Sequence, residues 1–305
     1  MISLIAVAAF RAAPEPMLAF VARIYYPPGD RRVSHAQLFV SDFHGSHRRL
    51  LTHGRTDILR VWWIGRSALA WQTDHAEFVS LIEPLRPKRF ALPKDAEVLE
   101  GTPRGTLVFY HWHHKSDSAS KAYVVTPHGV AVTDLARWTH AVNKSLGFRD
   151  NSGESQCATT DGRQFGLMPD GNDFNPPWKL RLGRQEYTIF KDGPDWLDVE
   201  AVRAGTFYFR GQDVAGASHG RNDTIYAFVP NTAKLTKVVG DLARLDYRLD
   251  SPLYAGLSDG GMGVTPYGRK RVVWSSNVLA GDLRTGKRWV VLGGTVWAQD
   301  VAVQP

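Results

Sequence analysis

The densest run of side chains able to do chemistry is Tyr110-His111-Trp112-His113-His114-Lys115-Ser116-Asp117. In an extended chain, residues two apart project to the same side. His111 and His113, at the end of a strand, could therefore reach one divalent metal ion, with Asp117, His75 or His140 completing the shell. His111, His113 and His140 are the candidate ligands. In such a site Arg55 or Lys115 would neutralise the carboxylate of an acidic sugar, and a His or Tyr base would support β-elimination or hydrolysis. In the competing reading, these imidazoles and rings fill space between sheets and bond to loop carbonyls. The protein then binds rather than reacts and needs no cofactor.

Two other patterns carry less. Gly216-Ala217-Ser218-His219-Gly220 matches the G-x-S-x-G pattern of serine hydrolases, but a nucleophile elbow needs a helix after it, and Thr224 to Val229 reads as a strand. Asp170-Gly171-Asn172-Asp173 is rich in oxygen ligands yet lacks the twelve-residue calcium loop with its closing Glu, so it reads as a turn.

The elements that must position these residues are six hairpins. Asn277 to Leu292 is the clearest, two short strands joined by a turn of Thr285, Gly286 and Lys287. The others are Gln37 to Leu51, Glu77 to Leu92, Ala122 to Leu135, Lys179 to Phe190 and Thr224 to Val239. Each is a half-buried strand, a turn of Gly, Pro, Asn or Asp, and a second strand. Their spacing of roughly 40 to 55 residues is that of β-propeller blades. Extended upstream, each becomes a blade of strands a to d. In the second, Ile58 to Ile64 is strand a and Ala68 to Gln72 strand b; the fifth spans Trp196 to Val239 and the sixth Tyr247 to Leu292. The fourth, Ala141 to Phe190, is the least regular, with only Gln164 to Met168 reading as strand b.

Thr295 to Val303 remains as a strand a without a blade, and is placed beside Met17 to Tyr26 to close the ring. Ile2 to Phe10 competes for the same slot. The expectation is one all-β domain over residues 1–305, a six-bladed β-propeller with seven blades as the alternative, its ring closed by a terminal strand. Residues 1–12 read as a leader-like segment or an extra strand.

In that frame the b–c and d–a connections share one face. His35, His75, His111, His113, His114 and His219 fall at b–c connections, and His53 and His140 near d–a connections, whereas His44, His47 and His128 fall on c–d turns. With eight of the eleven histidines on it, this face is the candidate binding surface. Its members are His75, Arg55, Trp112, Lys115, Asp117, Trp138 and His219. Trp178 lies near it, where an indole could stack on a sugar ring. Trp62, Trp63, Trp71, Trp196, Trp274, Trp289 and Trp297 read as core.

Leu18-Ala19-Phe20, Gln37 to Asp42, Gly45-Ser46 and Arg48 to Thr52 resemble the repeats of TolB-like propellers, also called WD40-like PD40 repeats; Gly281 to Leu283 with Thr285 to Lys287 is similar. His53-Gly54 resembles the structural His of propeller d–a loops. The resemblance implies the propeller fold and a binding module for a protein or an acidic, polyanionic glycan. The alternative is a metal-dependent lyase or hydrolase acting on an acidic carbohydrate.

A net charge of +7 and a pI near 9.5 favour polyanionic partners. The charge is dispersed over separate turns with no basic helix or aromatic-spaced RNA motif, which argues against nucleic acid. No stretch reaches the length of a membrane span. A single cysteine, Cys157, excludes an internal disulfide framework but leaves the compartment open. The leader-like Ile2 to Phe10 favours an extracytoplasmic location, though it lacks preceding basic residues.

Overall fold

The structure is a computed structural model that describes residues 17–24, 35–66, 68–73, 77–81, 87–90, 96–99, 107–111, 121–126, 129–134, 148–150, 157–159, 163–169, 176–213, 222–247, 251–258, 261–264, 272–283, 285–294 and 296–304. Among these there is no α-helix.

In the numbering of the expected blades, the first contains β1 (Met17–Ile24), β2 (Ala36–Asp42) and β3 (Arg49–Leu50). The second is β4 (Ile58–Ile64), β5 (Ala68–Thr73), β6 (Glu77–Leu81) and β7 (Pro87–Phe90). The third is β8 (Ala96–Leu99), β9 (Leu107–His111), β10 (Lys121–Thr126) and β11 (Gly129–Asp134). The fourth has five strands, β12 (Phe148–Asp150), β13 (Cys157–Thr159), β14 (Gln164–Pro169), β15 (Trp178–Leu182) and β16 (Gln185–Phe190). The turn-rich stretch before Gln164 thus holds two short strands that its composition concealed.

The fifth and sixth blades share one strand. After β17 (Trp196–Arg203), β18 (Thr206–Asp213) and β19 (Asn222–Val229) comes β20 (Lys234–Tyr247), fourteen residues long. Its first half pairs with β19 as far as Leu242, and its second half pairs with β21 (Leu253–Ser258). No loop separates the blades, and the sheet runs on through seven strands. A further hairpin, β22 (Gly261–Val264) with β23 (Val272–Ser275), is inserted before β24 (Val278–Asp282) and β25 (Arg288–Leu292).

The last strand, β26 (Val296–Val303), pairs antiparallel with β1, giving the sheet order β26-β1-β2-β3. This is the pairing expected for the orphan strand; the competing segment Ile2 to Phe10 lies outside the described residues.

Period-2 alternation explains how the first blade is held. β1 is apolar on both faces, so Leu18 and Phe20 pack with Leu257, Val278 and Val291 of the sixth blade, while Ala19 and Val21 pack with Val61, Trp63 and Trp71 of the second. The fifth blade is wedged in the same way. Phe207, Phe209 and Phe228 meet Phe165, Trp178 and Leu180 of the fourth, and Ile225 meets Leu242, Leu245 and Tyr247 of the sixth.

At the rim, the β2–β3 turn locks onto the sixth blade. Trp289 donates its indole N–H to the Phe43 carbonyl, and His44 stacks on the Trp289 ring at 5.1 Å. Gly45 sits at φ +80, and a Cβ there would come within 2.6 Å of the Val291 carbonyl oxygen. Gly183 has φ +61 with open space around it. Gly45→Ala should therefore destabilise more than Gly183→Ala, which carries only the left-handed backbone cost of about 1–3 kcal/mol. Urea unfolding of the two variants measures the difference; equal losses would contradict the rim lock.

Candidate functional site

The face expected to bind is built around one carboxylate in the described part of the first blade. Arg23 closes most of β1, Ala36 opens β2, and Asp57 immediately precedes β4, so the b–c and d–a connections meet at Asp57. Its Oδ2 pairs with Arg23, whose side chain is only 8% exposed, and its Oδ1 accepts the Ala36 N–H at 2.6 Å. His35 Nδ1 lies 3.6 Å from the same oxygen, and the Arg23 guanidinium sits over the Trp297 ring at 5.7 Å. A buried arginine needs such a partner, because removing its counter-charge leaves a desolvated cation.

The adjoining d–a loop is fixed by an amide. Gln37 Oε1 accepts from Thr52 Oγ1 at 2.9 Å and from the Gly54 N–H at 3.0 Å, while its Nε2 donates to the Gly54 carbonyl at 3.2 Å. Thr52 Oγ1 in turn accepts the Leu38 N–H at 3.0 Å. His53, which by resemblance should anchor this loop, is exposed. Gln37 and Thr52 hold the backbone on either side of it, so the loop needs nothing from the imidazole.

A second polar system lies along the inner strands. Asp300 of β26 accepts the Val61 N–H of β4 at 2.9 Å and stands 3.4 Å from Arg244 Nε of β20. Asp246 of β20 accepts the Val303 N–H at 2.6 Å. Burial raises the pKa of Asp300, against the pull of Arg244, backbone N–H donors and Arg60. Burial also raises Asp246 from 3.8 to about 6, opposed by the Val303 N–H and Arg210 and reinforced by the Asp300 charge. Asp246 keeps part of its residue surface exposed, yet its carboxyl is enclosed by β26 and by the Arg210 side. Between the fifth and sixth blades Arg210 pairs with Glu200, meets Asp223 Oδ2 at 3.2 Å and reaches the Leu245 carbonyl at 3.4 Å; Gln212 donates to Asp223 Oδ1 at 2.9 Å. Burial pushes the Tyr247 phenol above its ordinary range.

Of the candidate residues, Arg55 is exposed between β3 and β4, and His111 is the last residue of β9, opposite Ala96. His75, Trp112, His113, His114, Lys115, Asp117, His128, Trp138, His140 and His219 lie outside the described residues. Among the described residues no group of three or more His, Cys, Asp or Glu side chains could hold a metal ion. His44 and His47 occupy a c–d turn as expected, His47 Nδ1 lying 3.2 Å from Asp42 Oδ2.

Two tryptophans exchange roles. Trp178 is buried among Leu180, Phe207 and neighbouring core residues and donates its indole N–H to the Pro194 carbonyl at 2.8 Å, so it offers no stacking surface. Trp196, expected in the core, is 54% exposed. It starts β17 opposite Gln212, at the end of the blade where apolar packing gives way to the polar Gln212–Asp223 pair. Asp57 carries no motif signal, and the loop-holding role of Gln37 and the exposure of Trp196 became visible only in the fold.

No family model matches the chain, and no curated protein matches it. Solved structures do. TolB from Acinetobacter baumannii superposes with a TM-score of 0.53 at 13% identity, over 95% of this chain and 67% of that one. A protein of unknown function from Bacteroides caccae covers 95% and 99% of the two chains at 12% identity with a TM-score of 0.39, and an oligogalacturonate lyase in complex with manganese covers 85% and 71% at 11% identity with a TM-score of 0.32. The molecule is an all-β propeller. Its fold is TolB-like. Among the described residues no helix is long and apolar enough to cross a membrane.

The buried carboxylates make stability pH-dependent in an unusual direction. Asp246 binds its proton more tightly folded than unfolded, so its contribution is full below 3.8 and is lost as pH rises through about 6. The loss is up to about 3 kcal/mol, less whatever partial exposure recovers. The stability difference between wild type and Asp246→Asn, from denaturant titrations across this range, should fall with rising pH; a pH-independent difference would refute the assignment.

Proposed function

We propose that this protein is a binding propeller that recognises a protein partner through the face bearing the b–c and d–a connections. Six blades in a ring completed by β26, forming one domain, are part of that proposal. The observation that carries it is Trp196, 54% exposed at the start of β17, where the d–a connection enters the fifth blade. Tryptophan and arginine dominate interface energies, and Arg55 is exposed on a d–a connection whose backbone Gln37 and Asp57 hold in place. A surface fixed before binding loses less entropy on association.

The test is a photo-crosslinking residue placed at Trp196 or, as control, at the exposed Gln185 of the outer strand β16, in cells that express the protein natively. A discrete protein adduct from the Trp196 site and none from Gln185 is expected. Adducts equal at both positions, or absent from both, would overturn the reading.

A metal-dependent lyase or hydrolase acting on an acidic carbohydrate is the second reading, favoured by the place of His111 at the end of β9. It predicts near-stoichiometric metal in tag-free protein, lost in the His111→Ala/His113→Ala double variant. Elemental analysis that finds no metal in wild type contradicts it.

A further inference from the structure

The inner strands share an irregularity. Each of β4, β20 and β26 carries one extra residue relative to its neighbour. In β4 the register passes from Ile58 opposite Thr73 to Arg60 opposite Gln72, leaving Leu59 as the extra residue. In β20 the extra residue is Ala243, between Leu242 and Arg244. In β26 it is Gln299, between Ala298 and Asp300. A β-bulge breaks alternation and re-aims the side chain that follows it, which is why bulges gather at functional sites. The following residue here is charged in all three cases: Arg60, Arg244 and Asp300.

These strands lie together. β26 is bound to β4 through Val61 N–H on Asp300 and the Trp63 indole N–H on the Ala302 carbonyl at 3.0 Å, and to β20 through Val303 N–H on Asp246. Asp300 therefore sits between a strand bearing Arg60 and a strand bearing Arg244, and both arginines act electrostatically on its carboxylate. Asp300 is buried, 7% exposed, with one oxygen taken by the Val61 N–H. The arginines are open to solvent: Arg60 is exposed and the Arg244 side chain is 43% exposed. Among the described residues neither guanidinium donates a hydrogen bond to the protein, and Arg244 meets Asp300 only at 3.4 Å through Nε. Each guanidinium has five N–H donors in a planar fork that matches a carboxylate.

We propose that the bulged inner strands form a binding site for a small carboxylate ligand, held between Arg60 and Arg244 above the buried Asp300. Two accessible cations act on the buried Asp300 carboxylate, and Asp300, 3.4 Å from Arg244 Nε, steadies that fork while leaving its outer donors for the ligand. The other charged group at this level, Asp246, is turned to the Val303 N–H and toward Arg210, which is itself paired with Glu200 and Asp223. Neither reading depends on the other.

The test is isothermal titration of wild-type protein at low ionic strength with succinate, with succinamide as the neutral isostere and sulfate as a non-planar anion. Saturable one-to-one binding of succinate, with none of succinamide and weaker binding of sulfate, is expected. Arg60→Gln and Arg244→Gln should each weaken succinate binding by about tenfold or more, as befits loss of a charge-assisted fork. Arg184→Gln, at the exposed β15–β16 turn, should leave it unchanged. Asp300→Asn removes the internal competitor and should tighten binding severalfold; if that variant does not fold, the two substitutions at exposed arginines decide the matter. Absence of saturable succinate binding, equal binding of sulfate, or unaltered affinity in Arg60→Gln and Arg244→Gln would overturn the proposal.

Discussion

A strand placed inside a protein presents two rows of backbone donors and acceptors, and β26 is where that requirement is met in the least regular way. One row is satisfied by the ladder to β1. Among the described residues no ladder runs along the other side; side chains and isolated bonds, with one bridge between Ser276 and Trp297, replace it. Asp246 takes the Val303 N–H, and the Ala302 carbonyl accepts the Trp63 indole. The Gln304 amide reaches both the Met17 N–H at 2.7 Å and the Arg66 carbonyl at 2.6 Å. Unpaired backbone groups at such a position would cost as much as lost hydrogen bonds. The solution has its own cost, since two carboxylates are removed from water, and Arg244, Arg60 and Arg210 offset that cost only in part.

The packing of the first blade follows from this placement. With β26 fixed between β4 and β20, β1 is covered on both faces, and its alternating Leu18, Ala19, Phe20 and Val21 are divided between the sixth and second blades. Farther out, Gly45, Phe43 and Trp289 repeat the junction at the rim. The same division of labour recurs between the fifth and sixth blades, where Ile225, Leu242 and Leu245 supply apolar contact and Arg210 supplies the polar bridge. Polar groups therefore gather along the inner strands and the b–c and d–a connections, while the interiors between blades stay apolar.

Much of this architecture was legible in the sequence. The segment Ile58–Ile64 is a strand over its whole expected length, and the terminal strand pairs with β1 as its pattern implied. Both signals rest on hydrophobic alternation, which is local. The departures depend on distant partners. The fifth blade was expected to end at Val239 and the sixth to begin at Tyr247, but a Cβ at Gly240 would lie 2.6 Å from Thr224 Oγ1, so this glycine permits close approach of β19 and β20 continues through the expected gap. Trp196 and Trp178 both lie on strands in a similar pattern; only the Pro194 carbonyl and the Phe207 and Phe228 rings put one inside and leave the other out. Of the candidate binding face, sequence reasoning reached Arg55 and the strand-end position of His111, but not Gln37 and Asp57, whose roles depend on groups brought near only by folding.

The most direct measurement is native-state hydrogen exchange of the β26 amides. If side-chain anchoring makes this strand integral to the fold, the amides of Val301 and Val303 should exchange only through global unfolding, with the same free energy and denaturant dependence as those of Phe20 and Val21 in β1. Exchange of the β26 amides through a local opening, at lower free energy and without denaturant dependence while β1 stays protected, would contradict the account.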